Sequence, residues 1–262
     1  MYLLMNFNLM KKIFHPDYEY LESHFDSLLT QFKTSGELIG SEKRNIIKVF
    51  KHNNFSINIK SFKIPNVINA VVYGYIRKSK ARRSFEYARI LQSNGIGTPQ
   101  PFAFFENKTL LGLKESYYFS EHQDVDCEFR KIIFDPGYPN REEIIKQLAR
   151  FFYIVHNFGI EFIDNTAGNT LVKKKDNENY AFYLVDLNRM RFHKNFSIVQ
   201  RASNLAKLTN DVFVNNIISE EYSKLLHIPK DTFYNLLQSE SNRFLNNFNR
   251  RKNLKKKLFF WK

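Results

Sequence analysis

Three polar residues in the second half of the chain, Asp164, Asn169 and Asp186, are of types that take up protons and bind divalent cations. Asp164 and Asn169 lie five positions apart in the segment Asp-Asn-Thr-Ala-Gly-Asn, and Asp186 follows two short apolar runs. A carboxylate such as Asp164 can accept the proton of a hydroxyl group. The oxygens of Asn169 and Asp186 are hard ligands of the kind that magnesium prefers.

The elements predicted around these residues would bring them together. An amphipathic helix is predicted over residues 141–158, and it is followed by a loop and by two strands joined by a polar turn. Such a hairpin returns Asp186 to the edge that carries Asn169. This is the layout of a kinase catalytic loop and its metal-binding aspartate, so we predict Asp164 as catalytic base, Asn169 and Asp186 as metal ligands, and ATP and Mg²⁺ as cofactors. The alternative is an ordinary polar loop.

The first half of the chain offers residues for binding ATP. In the predicted strand that contains Ile57 and Ile59, alternation places Lys60 on the opposite face, where it would reach the phosphates. Glu86, on the following predicted helix, is the expected ion-pair partner of Lys60. Lys63 is the alternative lysine, although alternation puts it on the face of Ile57 and Ile59. A solvated strand lysine is the structural alternative for Lys60.

Two glycines, Gly36 and Gly40, precede the first predicted strand pair. They would allow a turn to cover the nucleotide, but they do not match the Gly-x-Gly-x-x-Gly pattern. Glycines of a simple hairpin turn are the alternative.

The order of predicted elements indicates the fold class. A helix over residues 17–33 is followed by two strands, a helix over 79–94, two more strands, and then mainly helices. We predict an α+β, two-lobed protein-kinase-like fold with a small antiparallel-sheet N-lobe and a mainly helical C-lobe. The expected domains are residues 1–123, 124–242 and a basic, aromatic tail over 243–262.

The charge of the chain is concentrated in this tail. The formal net charge is +14, and residues 243–262 hold eight basic and no acidic residues. Basic residues beside aromatic ones suit an anionic membrane surface. The residues expected to meet the membrane are Arg250, Arg251, Lys252, Lys255, Lys256, Lys257 and Trp261. Nucleic acid also accepts such charge, but no nucleic-acid motif accompanies it, so we expect no nucleic acid. Packing of the tail on the C-lobe is the other alternative.

Other classes of protein are disfavoured by the composition. Cys127 is the single cysteine, so neither an internal disulfide nor a cysteine-based zinc cluster is expected. The N-terminal segment has no small-residue cleavage site, and no apolar run is long enough for a spanning helix. We therefore expect a folded protein that is soluble or peripheral to a membrane.

With these segments in place, the chain resembles the lipopolysaccharide core kinases, the family of Kdo and heptose kinases. The segments that carry the resemblance are 79–106, 163–172 and 184–192, the last of which contains Asp-Leu-Asn-Arg where protein kinases have Asp-Phe-Gly. The resemblance implies ATP- and Mg²⁺-dependent phosphorylation of a lipid-linked sugar of the inner core, with Kdo favoured over heptose. It also implies a peripheral position at the cytoplasmic face of the inner membrane of a Gram-negative bacterium.

The chain departs from this family at Phe162, where a histidine usually lies two residues before the aspartate. We expect the loop to lack the hydrogen bond of that histidine. His156, at the end of the helix over 141–158, is expected to support the loop rather than to act as a base. A catalytically inactive, kinase-like binding module and a kinase of another substrate, either heptose or a protein, stay open as alternatives.

Overall fold

The computed structural model describes residues 10–40 and 45–259, and their side chains as far as residue 254. The chain forms two compact units, Met1–Asp124 and Val125–Lys262.

The first unit is built on one antiparallel sheet, in the order β1-β5-β6-β4-β3-β2. Its strands are β1 (Lys11–Phe14), β2 (Glu37–Ile39), β3 (Asn45–His52), β4 (Phe55–Phe62), β5 (Pro101–Thr109) and β6 (Gly112–Glu121). Alternating apolar and polar residues predicted β3 and β4, and the prolines and the turn around the next two apolar runs indicated β5 and β6. The sequence did not indicate β1 and β2, because they are short strands at the sheet edges and bury little surface.

The helices of this unit begin with a 3₁₀ turn, Pro16–Leu21, which runs into α1 (Glu22–Gln31). Next come α2 (Val67–Val71), which continues as a π-helical turn over Val72–Ile76, and α3 (Lys80–Ser93). The predicted helix over 79–94 is confirmed. Its N-cap is Ser79, whose side chain accepts a hydrogen bond from the Arg82 backbone N–H. This bond satisfies a donor that the first helical turn leaves unpaired.

Both faces of the sheet are covered. One face carries Ile57, Ile59 and Phe119, which form a buried cluster with Phe25 of α1 and with further aromatic side chains. The other face carries Phe62, Phe104 and Tyr118, which are buried with Ala81 and Phe85 of α3. Removing these apolar surfaces from water is the main stabilising contribution of such a layered packing.

The second unit is mainly helical. Its helices are α4 (Phe129–Phe134), α5 (Arg141–Asn157), α6 (Ile198–Leu205), α7 (Val212–Leu226) and α8 (Lys230–Phe259). Its strands are β7 (Cys127–Glu128), β8 (Ile160–Phe162), β9 (Thr170–Lys174), β10 (Tyr180–Leu184) and β11 (Met190–Phe192). The small sheets have the orders β10-β9-β7 and β11-β8, and all pairs are antiparallel. The predicted helix over 141–158 and the hairpin β9–β10 are confirmed.

Two details of this unit concern the start of α5 and the length of α8. Asn140 precedes α5 in a left-handed conformation without capping the helix, because its side chain donates to the Asn177 carbonyl and the Tyr180 hydroxyl instead. Helix α8 continues through residue 242 without a break, so the expected tail begins inside a helix; the domain boundaries stay predictions. Within the described part of the chain, no helix combines the length and hydropathy that crossing a bilayer requires.

Candidate active site

Asp164 lies in the loop between β8 and a 3₁₀ turn over Ala167–Asn169. Its carbonyl accepts hydrogen bonds from the Thr166 N–H at 2.7 Å and from Nδ2 of Asn169 at 2.8 Å. Because Nδ2 of Asn169 is bonded within the loop, the amide oxygen is the end of that side chain left to act as a ligand. The segment from Asp164 to Asn169 is thus a turn closed by hydrogen bonds to the Asp164 carbonyl.

Asp186 is positioned by the β9–β10 hairpin. The Val185 N–H donates to the Asn169 carbonyl at 3.0 Å, which ties the residue before Asp186 to the end of the loop. Asp186 itself has φ +60°, a left-handed conformation that aspartate tolerates better than most residues. Nδ2 of Asn188 donates to Oδ1 of Asp186 at 2.6 Å. The hairpin therefore brings Asn169 and Asp186 together, as predicted.

The carboxylate of Asp164 is held by Arg189. Nη1 of Arg189 donates to Oδ1 of Asp164 at 2.9 Å, and the Arg189 carbonyl accepts from the Ile163 N–H at 3.1 Å. Arg189 belongs to the Asp-Leu-Asn-Arg segment, so the residues that follow Asp186 also orient the predicted base. The sequence motif contained this arginine but did not indicate its partner.

Both flanks of Asp164 are held by side chains from or near α6. Asn204 donates from Nδ2 to the Phe162 carbonyl at 2.8 Å and accepts, through Oδ1, from Nδ2 of Asn165 at 3.2 Å. Nζ of Lys207 donates to the Ile163 carbonyl at 3.1 Å. Burial lowers the pKa of Lys207, while Glu161 opposes this effect.

Phe162 cannot make the hydrogen bond of the usual histidine, as expected, but the loop has other polar support. The Phe162 side chain is fully buried, and the polar support comes from Asn204, Asn165 and Lys207. Asn204 and Lys207 lie about forty residues downstream of the loop, and no local pattern singles them out. An apolar residue at position 162 is compatible with an ordered loop because these residues supply the hydrogen bonds.

His156 extends this support into the core, as expected. Its Nε2 lies 3.1 Å from Oδ1 of Asn204, and its Nδ1 lies 2.7 Å from the Tyr222 hydroxyl. Since Nδ2 of Asn204 faces the acceptor-only Phe162 carbonyl, its Oδ1 must accept, and Nε2 of His156 must carry the proton. Nδ1 then accepts from Tyr222. A neutral histidine satisfies every one of these bonds.

We expect the stability of the protein to fall in mild acid because of His156. Burial lowers the pKa of His156 from 6.5 to about 3, so the folded state resists a proton that the unfolded chain takes up below about pH 6.5. Above that pH, His156 is neutral in both states and the free energy of unfolding does not depend on it. Below that pH, the free energy of unfolding falls by about 1 kcal/mol for each pH unit until about pH 3. Urea unfolding at pH 7.5, 6 and 5 measures this slope.

The matched variant for this measurement is His156→Gln, which keeps hydrogen-bonding atoms but does not titrate. It should be less stable at pH 7.5 and lose less stability between pH 7.5 and pH 5 than the unchanged protein. Equal slopes in both proteins would contradict the buried, neutral histidine.

In the first unit, Lys60 lies on β4, between β6 and β3, opposite Tyr118. It is largely buried, and its Nζ lies 5.4 Å from the centre of the Phe62 ring. This is the α3 face of the sheet, whereas Ile57 and Ile59 belong to the opposite cluster. The alternation predicted for Lys60 is confirmed; its role in ATP binding stays a prediction. Lys63, the alternative, is exposed after the end of β4.

Glu86 lies on α3, partly buried. It forms ion pairs with Nζ of Lys78 at 2.7 Å and with Nε of Arg82 at 2.8 Å. Burial alone would raise the pKa of the Glu86 carboxyl, but the hydrogen bonds from these two cations outweigh burial and lower it. The described ion pairs of Glu86 are thus with two nearby residues of the same segment, Lys78 and Arg82. Its predicted ion pair with Lys60 stays a prediction.

Gly36 and Gly40 flank β2, and both have positive φ. A Cβ atom at Gly36 would lie 2.6 Å from the Phe50 ring, so close packing as well as the turn requires glycine there. Gly40 is the last described residue before the gap at residues 41–44. A role of either glycine in covering a nucleotide stays a prediction.

The donor set fits magnesium. Asn169 and Asp186 offer an amide and a carboxylate oxygen, and protein sites for Mg²⁺ commonly use one or two such oxygens together with substrate phosphates. Among residues 10–40 and 45–259, no group of three or more histidine, cysteine, aspartate or glutamate side chains could hold a metal ion.

Comparisons with known proteins bear on the family and the fold of the chain. No curated protein sequence matches the chain significantly. A solved structure described as "WaaP in complex with acyl carrier protein" is similar with a TM-score of 0.62 and 14% identity, over 89% of this chain and 97% of that chain; this similarity confirms the predicted kinase-like α+β fold. The family model "Lipopolysaccharide kinase (Kdo/WaaP) family" matches residues 66–228, which is more than half of the chain. The chain therefore belongs to the lipopolysaccharide kinase (Kdo/WaaP) family and is a phosphotransferase.

Proposed function

We propose that the protein transfers a phosphoryl group from ATP to Kdo in the lipid-linked inner core of lipopolysaccharide, at the cytoplasmic face of the inner membrane of a Gram-negative bacterium. The family membership supports the reaction class. The observation that carries the proposal is the closed loop in which Asn169 donates to the Asp164 carbonyl and Asn188 donates to Asp186. This ordered arrangement of the proposed base and metal ligands favours an active enzyme over an inactive binding module.

Each residue has a proposed role. Asp164 accepts the proton of the sugar hydroxyl as its oxygen attacks the γ-phosphorus and the bond to ADP breaks. Arg189 holds the Asp164 carboxylate at 2.9 Å, and Asn204 and Lys207 fix the backbone on either side. Lys60 binds ATP phosphates, with Glu86 as a supporting carboxylate and Gly36 and Gly40 in a covering turn.

Asn169 and Asp186 would hold Mg²⁺, which neutralises charge on the phosphates when it is bound. The left-handed backbone of Asp186 and its hydrogen bond from Asn188 restrict where the carboxylate can lie. Restricting a ligand before the substrate arrives lowers the entropic cost of assembling the site.

Phosphate transfer onto purified Kdo-lipid A tests the proposal directly. The protein is incubated with ATP, with and without Mg²⁺, and the acceptor is analysed by mass spectrometry for the gain of one phosphate. A heptose-containing acceptor tested in parallel separates the two sugars. If the protein binds Mg-ATP in a thermal-shift assay but modifies neither acceptor, the inactive-module alternative is favoured.

We further propose that the C-terminal end of α8 contacts an anionic membrane. Phe244, Leu245 and Phe248 are exposed, and so is Leu254, so a substantial part of each side chain is left uncovered. Arg250, Arg251 and Lys252 are exposed among them. The other residues expected to take part, Lys255, Lys256, Lys257 and Trp261, lie outside the side chains that the structure describes.

Truncation after Asn242 should weaken binding to anionic liposomes and leave Mg-ATP binding unchanged. The last buried side chain described on α8 is Ser241, so the truncation removes exposed side chains as far as they are described. Liposome flotation at low and high salt measures the effect, because attraction between surface charges is screened by salt. Unchanged flotation would contradict the proposal, and loss of solubility would favour packing of the tail.

A further inference from the structure

A second exposed apolar surface lies in the first unit, far along the chain from α8. It is formed by α2, the π-helical turn and the β5–β6 turn, and we call it the α2 face. Its exposed apolar members are Ile64, Val67, Ile68, Val71, Tyr75, Ile76, Leu110 and Leu111. Leu110 is 95% exposed and Ile76 is 81% exposed. Contiguous exposed apolar side chains of this number mark an interaction surface.

The α2 face is held together by close packing. The Tyr75 hydroxyl donates to the Leu110 carbonyl at 2.8 Å, and Nζ of Lys108 donates to the Gly74 carbonyl at 3.3 Å. A Cβ atom at Gly74 would lie 2.6 Å from Cα of Gly112, so two glycines allow the helix to lie against the β5–β6 turn. The apolar side chains are therefore presented on an ordered support.

The charge around this face is mostly positive, although Lys78 is paired with Glu86 and Lys108 with Glu106. From Lys63 to Phe85 the chain contains six basic and no acidic residues, and none is acidic from Lys108 to Lys114. Lys63, Arg77, Lys78 and Lys108 are exposed beside the apolar side chains. A cavity of about 320 Å³ next to them is lined by Lys63 and Lys80 together with the amides of Asn66 and Asn69, which are donors that a phosphate group accepts.

We propose that the α2 face docks the protein on an anionic phospholipid bilayer. Exposed apolar side chains on an ordered element enter the headgroup region, and basic residues beside them attract the negative surface. The cavity with Lys63 and Lys80 receives a headgroup phosphate. The excess of positive charge around the rim favours a bilayer over a second copy of this chain, because two such rims would repel each other. This docking surface would bring the protein to its proposed lipid-linked sugar acceptor, and the proposal therefore rests on the proposed function.

The test uses the full chain and needs neither ATP nor acceptor, so its failure is distinct from failure of the proposed function. Flotation is measured with vesicles of phosphatidylcholine alone and with added phosphatidylglycerol. The variant Ile68→Gln, Leu110→Gln replaces two exposed side chains with polar ones, and it should lower the partition coefficient on the anionic vesicles about tenfold or more. Tyr20→Gln, Phe134→Gln, also at exposed positions, is the matched control and should bind like the unchanged protein.

A second measurement locates the contact. In a Cys127→Ser background, Leu110→Cys is labelled with an environment-sensitive fluorophore, and its emission should shift to shorter wavelength with anionic vesicles. The same label at Phe134→Cys should not shift. Unchanged flotation of the Ile68→Gln, Leu110→Gln variant, or no shift at position 110, would overturn the proposal. Light scattering that shows a dimer dissociated by this variant, with vesicle binding unchanged, would overturn it in favour of a second copy.

Discussion

Asp186→Ala is expected to abolish phosphoryl transfer while the protein stays folded. The loss removes a proposed ligand of the metal that neutralises phosphate charge, a contribution of several kcal/mol, so turnover should fall by roughly a thousandfold or more. The effect on folding is smaller, because Asp186 is only partly buried. Turnover with Kdo-lipid A and thermal unfolding of the same preparation are the two measurements.

The left-handed backbone at Asp186 requires a second variant as control. With φ +60° at this position, alanine adds backbone strain of about 1 kcal/mol, whereas asparagine tolerates the conformation. Asp186→Asn should therefore unfold like the unchanged protein and still lack most turnover. Asp231→Ala, at an exposed position in the first turn of α8, should retain activity. Near-normal transfer by both Asp186 variants would show that Asp186 is not the metal ligand.

Asp164→Asn should lower turnover by a factor of roughly a hundred to ten thousand, the usual contribution of a positioned general base. The affinity for ATP should change little, because in this proposal Asp164 contacts the acceptor hydroxyl rather than the nucleotide. The variant also loses its ion pair with Arg189, but a pair with an exposed partner contributes only about 0–1 kcal/mol to stability. Steady-state kinetics with ATP and acceptor varied separately measure both quantities.

An equal loss of ATP affinity in Asp164→Asn would contradict this role and indicate a metal or structural one. Arg189→Lys is an informative companion, since it keeps a positive charge near Asp164 but cannot reproduce the same hydrogen-bonding geometry. If Arg189 orients the base, this variant should lower turnover by less than Asp164→Asn does and leave ATP affinity unchanged.

Short-range sequence patterns predicted the elements that position the candidate site. Alternation located β3 and β4 and placed Lys60 on the face opposite Ile57 and Ile59, and the helical spacing of apolar residues located α5. These patterns work because strands and helices repeat every 2 and about 3.6 residues, so neighbouring residues report which side is buried. Asp164, Asn169 and Asp186 could be found in the same way, because they lie close together in the sequence and beside such runs.

The contacts that hold the site were not visible in those patterns. Asn204 lies on α6, 42 positions from the Phe162 carbonyl that it binds, and Tyr222 lies on α7, 66 positions from His156. The substitute for the missing histidine bond at Phe162 was not foreseen, because its hydrogen bonds come largely from a helix that no local signal connects with the loop. Partners of a buried polar group depend on how helices pack, and the residues themselves can be of any hydrogen-bonding type.

The sequence by itself determined the order of the main elements of both units, the three residues of the loop and hairpin, and the excess of positive charge. The tertiary structure decided that His156 is neutral, that Arg189 holds Asp164, and that the apolar residues of the α2 face remain exposed. The physical reason is that periodicity shows which residues prefer burial, whereas actual burial depends on whether another element covers them. Residues 67–76 are apolar except for Asn69 and Gly74, as in a buried element, and yet within the described structure more than half of these apolar residues are exposed.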